Sequence, residues 1–76
     1  MSEANRLGHY LSLPYTIEVI LDDGAWFVRV KELSGCMTEV DSWEEILPAI
    51  EEAKFLWLEL ALERGRPIPE PQGVPA

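Results

Sequence analysis

The sequence predicts a two-layer α+β domain, an antiparallel sheet of three to four strands with one long helix packed on it. Three observations predict it: a strict apolar alternation beginning at Tyr15, a reversal signal at Asp22-Asp23-Gly24 directly after it, and an apolar-striped segment from Ser42 to about Arg64. A chain of 76 residues has room for one core only, since so small a domain buries about 60% of its unfolded surface.

The elements follow in order. Residues 1 to 14 show no clear period and end at Pro14, which biases Leu13 toward an extended backbone; they read as a partly ordered lead-in. Tyr15, Ile17, Val19 and Leu21 then alternate with Thr16, Glu18, Ile20 and Asp22, the pattern of a strand with one buried face. Asp22-Asp23-Gly24 reverses the chain, because Asp and Gly tolerate positive φ. The second strand continues the alternation, with Trp26, Val28 and Val30 facing the core and Phe27, Arg29 and Lys31 facing away. Leu33-Ser34-Gly35 reads as a turn or bulge, and Cys36 to Val40 as a shorter third strand.

Ser42 with Glu45 three positions on forms a capping-box pattern, which predicts that their side chains hold the first amides of a helix. Pro48 lies deep enough that its missing amide and its ring predict a kink or a 3₁₀ first turn. Gly65 and Pro67 end the helix. The Pro-rich tail is expected to be extended, with Ile68 as a short edge strand and residues 72 to 76 flexible.

Projected at ~100° per residue, Trp43, Ile46, Ile50, Ala53, Trp57, Leu60 and Ala61 form the stripe that would cover the sheet, flanked by Leu56. Phe55, Leu58 and Leu62 fall off it and gather into a second apolar strip, which a one-helix domain has nothing to cover. Ile20 and Phe27 likewise point away from the helix. These five residues, Phe55, Leu58, Leu62, Ile20 and Phe27, are the candidate partner-binding set.

Charge narrows the function classes. Fourteen acidic against six basic residues give a net charge of −8, which repels phosphate backbones and suits a basic protein partner. No direct nucleic-acid ligand is expected. The single Cys36 and single His9 offer neither an internal disulfide nor a familiar zinc spacing. Asp22 and Asp23 fall in a hairpin turn, where Asp serves the backbone, and with Asp41 they make no convincing metal site. The glutamates at 44, 45, 51, 52, 59 and 63 read as the solvated side of a helix. No phosphate loop or nucleophilic triad pattern occurs, so no catalytic residue, metal or cofactor is expected. No run of eighteen apolar residues and no signal-peptide pattern occurs either, so a cytoplasmic protein away from membranes is expected.

Beyond these exclusions, the order of residues resembles the HicB family. The likeness runs through Tyr15-Thr16, Asp22-Asp23-Gly24, Trp26-Phe27-Val28, Lys31-Glu32-Leu33-Ser34-Gly35-Cys36, Asp41-Ser42-Trp43-Glu44-Glu45, Leu56-Trp57-Leu58 and Gly65 to Pro71, and covers residues 15 to 71. The resemblance implies a β-β-β-α-β, partial ribonuclease-H-like fold. It also implies an antitoxin-type module that binds and masks a small basic HicA-like toxin which cleaves mRNA. The family usually has Pro where Ser34 stands, and many members add a C-terminal DNA-binding domain that this sequence is expected to lack. A solitary homo-oligomeric domain, dimer or tetramer, with a structural or regulatory role and no toxin is the alternative expectation, its symmetric contact made by the helix strip or the sheet edge.

Overall fold

A computed structural model describes residues 3 to 71 of the chain. The elements are helix α1 (Glu3–Leu11), strands β1 (Ile17–Asp22), β2 (Ala25–Val30) and β3 (Met37–Val40), a 3₁₀ turn (Trp43–Glu45) and helix α2 (Ile46–Glu63). The three strands form one antiparallel sheet in the order β1-β2-β3, and α2 lies on one face of it. The α+β expectation holds.

Local chemistry explains most boundaries. Asp23 and Gly24 both take positive φ, 52° and 82°, which makes the two-residue turn that matches the twist of β1 and β2. Opposed residues run from Ile17↔Val30 to Asp22↔Ala25, so the inner face carries Ile17, Val19, Leu21, Trp26, Val28 and Val30. Pro48 is third in α2, and the expected 3₁₀ turn precedes it; its absent amide would have pointed into that turn, where the α-helical ladder has not begun. Gly65, at φ 65°, closes α2, with the Arg66 amide returning to the Ala61 carbonyl at 2.9 Å.

The capping expectation is corrected. Ser42 Oγ donates to Glu45 Oε1 at 2.8 Å, and neither side chain caps a backbone amide. The two groups satisfy each other across the tight turn instead. The edge strand expected at Ile68 is corrected too: residues 66 to 71 form no strand, and Ile68 packs against the core as a single side chain. The flexible tail expected at 72 to 76 lies outside the described residues.

The lead-in contains a helix that the sequence did not announce. Residues that read as aperiodic form α1, which packs against α2 and brings Leu7, Tyr10 and Leu11 onto the core. Their i, i+3, i+4 spacing is one helical face. The core itself is Tyr15, Val28, Val30, Leu33, Cys36, Ile46, Ile50 and Leu58.

Hydrogen bonds tie the lower end of the sheet to its surroundings. Thr16 donates through its amide and its hydroxyl to the two oxygens of Glu32, at 2.9 and 2.8 Å. Trp57 Nε1 donates to the Ser34 carbonyl at 2.9 Å, holding the β2-β3 loop to α2. Tyr15 donates to the Pro69 carbonyl at 2.6 Å, holding the tail.

Candidate functional site

With α2 on its inner side, the sheet has no element on its outer side among the described residues. Pairing sets Ile20 beside Phe27, Glu18 beside Arg29, Arg29 beside Met37 and Phe27 beside Glu39. Alternation then sends these side chains to the same face. Ile20, Phe27 and Met37 are 59%, 41% and 61% exposed, and they form one apolar centre spread across all three strands. Around it stand the Glu18–Arg29 ion pair, in which Arg29 Nε donates to Glu18 Oε1, and Glu39. The result is a shallow apolar depression of ≈ 310 Å³ with carboxylates at its margin.

Two of the five candidate residues, Ile20 and Phe27, therefore meet as a cross-strand pair. Met37 belongs with them and was missed, although the signal existed: if Cys36 points into the core, alternation turns Met37 out. The helix strip is corrected. Leu58 is 0% and Leu62 7% exposed, so neither can meet a partner, and only Phe55 of that trio reaches solvent. The buried stripe of α2 instead follows Ile46, Ile50, Lys54, Leu58, Ala61 and Leu62. It is rotated toward the side where α1 supplies a second cover. Trp43 and Leu60, assigned to the core stripe, are exposed in consequence, and Trp43 rests edge-on against Trp26 with ring centres 5.2 Å apart.

The titratable groups describe a scaffold. Burial pushes the Tyr15 hydroxyl up to about 12, helped by the nearby Tyr10, Glu70 and Glu32. Burial also pushes the Cys36 thiol up, partly opposed by the Lys54 ammonium, so it stays protonated near neutral pH and is a poor nucleophile. Partial burial would raise Glu32, but the two hydrogen bonds from Thr16, with Lys31 nearby, outweigh it and hold its carboxyl below the usual range. Lys54 is itself buried, with its ammonium 3.2 Å from Glu51 Oε2. His9 is exposed, its Nε2 3.6 Å from Glu70 Oε2. Among the described residues no group of three His, Cys, Asp or Glu side chains is placed to hold a metal ion, and Asp22, Asp23 and Asp41 stay apart from any such cluster. Among the same residues, no helix is long and apolar enough to cross a membrane.

Fold and surface together define a class: a small two-layer α+β domain with one sheet face covered by a helix and the other open. Residues 13–76 match the family model described as the HicB_like antitoxin of bacterial toxin-antitoxin systems, so the chain belongs to that family. The match begins just after α1, which lies outside it. No curated protein matches the chain, and no solved structure does. Membership sets the general role as an antitoxin's, which points to a regulatory protein with a toxin as the general kind of partner.

Proposed function

We propose that this antitoxin neutralises a small, basic, mRNA-cleaving toxin by direct binding, and that the open sheet face is where it binds. The observation that carries the reading is the Ile20, Phe27 and Met37 cluster, an apolar centre with Glu39 and the Glu18–Arg29 ion pair at its rim, on a chain of net charge −8. An interface of this kind needs a desolvated apolar centre for affinity and a polar rim for register. The negative field speeds encounter with a basic protein and disfavours acidic ones. A β-sheet face is also rigid before binding, so little ordering cost falls on the antitoxin side.

The test is whether the purified chain inhibits RNA cleavage by a small basic toxin of the HicA type. Phe27→Ala and Ile20→Ala each remove a large side chain from the centre while leaving the inner face intact. A central contact of this kind is worth about 1–2 kcal/mol or more, so each variant is expected to need roughly tenfold more protein for half-inhibition. Unchanged inhibition by the folded double variant would place the toxin elsewhere. Failure of the native chain to inhibit at any ratio would end the reading.

A further inference from the structure

Two sulfur atoms stand on neighbouring residues and face opposite ways. Cys36 is buried in the core cluster, and Met37, the first residue of β3, is largely exposed on the outer face of the sheet. Alternation along the backbone makes that division. Burial pushes the Cys36 thiol up, so little thiolate is present for an oxidant to meet. A thioether has no proton to lose and keeps its sulfur lone pairs at every pH, so exposure decides whether peroxide reaches it. Met37 is therefore the open sulfur among the described residues. Its position gives that exposure a consequence. It lines the apolar depression with Ile20 and Phe27, and across the strands it is paired with Arg29, whose guanidinium is held by Glu18.

We propose that Met37 is an oxidation site that regulates this face: hydrogen peroxide converts its thioether to a sulfoxide, and the modified chain releases its toxin. The inference rests on the reading that the toxin binds the open sheet face. In the step a sulfur lone pair attacks one peroxide oxygen, the O–O bond breaks and the S–O bond forms. The second oxygen leaves with both peroxide protons as water. Sulfur loses two electrons and the peroxide gains them. Ile20 and Phe27 are inert to peroxide, so Met37 is the member of the apolar centre that can change. The product carries a strong S–O dipole where an apolar group stood. A toxin closing over it would bury a new acceptor in the driest part of the interface, where the neighbouring Arg29 already donates to Glu18. The fold is spared, because Met37 takes no part in the core cluster. A methionine sulfoxide reductase returns the thioether, so the change is reversible.

The test treats the full chain with hydrogen peroxide, removes the peroxide, and titrates the product against RNA cleavage by the same basic toxin. Mass spectrometry of the digested chain is expected to find an added oxygen on Met37 and none on Cys36. The oxidised chain is expected to need roughly tenfold more protein for half-inhibition, with its urea midpoint unchanged, and methionine sulfoxide reductase is expected to restore it. Met37→Leu keeps the size and apolar character of the side chain, so it is expected to inhibit like the native chain and to go on doing so after peroxide. That variant retains Met1 and Cys36, so a peroxide-dependent loss in it would assign the effect to another residue and overturn the proposal. Inhibition unchanged by a sulfoxide at Met37, or peroxide that modifies Cys36 and leaves Met37 intact, overturns this inference while the toxin reading stands. An untreated chain that fails to inhibit at any ratio overturns both.

Discussion

The two ends of the β1-β2 hairpin share one ladder and one alternation, yet they differ in what covers them. At the open end Tyr15, Val30 and Leu33 are buried and bound in place by Thr16 to Glu32, Tyr15 to Pro69 and Trp57 to Ser34. At the turn end Val19 and Leu21 point to the same inner face and are exposed, with Trp43 against Trp26 as the main cover. The difference lies in the line α2 takes across the sheet, where it packs mainly on β2 and β3. Alternation says which face a residue takes, while the reach of the covering helix says whether that face is dry.

The contrast can be broken most sharply by truncation in each half. Leu58→Ala, which empties a fully buried site, is expected to cost about 2–5 kcal/mol in urea unfolding. Ile20→Ala in the exposed half is expected to change stability by about 0.5 kcal/mol or less. Equal costs would show that the sheet is not divided in this way.

The next effect is specific to the anchored end and is read by pH. Burial pushes the Tyr15 hydroxyl from its ordinary 10.0 up to about 12, so the fold favours its neutral form. That stability is fully present below pH 10 and is lost as pH rises from 10 toward 12. Tyr15→Phe is expected to lower stability at pH 7 by about 0.5–1.5 kcal/mol, the worth of the bond to Pro69, and to flatten the alkaline fall. A steep fall that persists in the variant would assign it to another group.

The smallest effect belongs to the outer face. Removing the Glu18–Arg29 pair by Arg29→Ala is expected to cost about 0.2–1 kcal/mol, and less at high salt, because both side chains keep contact with water. A larger, salt-insensitive loss in thermal unfolding would mean that the bare face is coupled to the core.

Much of the fold was legible. Asp23-Gly24 named the turn, the alternation from Ile17 to Val30 named the inner face, Pro48 announced the 3₁₀ turn, and Gly65 marked the end of α2. The candidate surface was half legible. Ile20 and Phe27 followed from alternation alone, and Met37 could have followed from the same rule. Leu58 and Leu62 went astray because a helical projection gives angles and never says what stands opposite them. The missed α1 offered only Leu7, Tyr10 and Leu11 as a signal, a pattern too short to stand above the noise of a terminal segment.

By itself, then, the amino-acid order determined the features set within a few residues: the positive-φ turn, the period of two, the proline and glycine boundaries, and the acidic charge of −8. Tertiary structure alone decided which apolar stripe of α2 is dry, that α1 covers part of it, and that Val19 and Leu21 on β1 stay exposed. The physical reason is that local conformation depends on steric and hydrogen-bonding preferences of near neighbours, whereas burial depends on which distant segment arrives to exclude water.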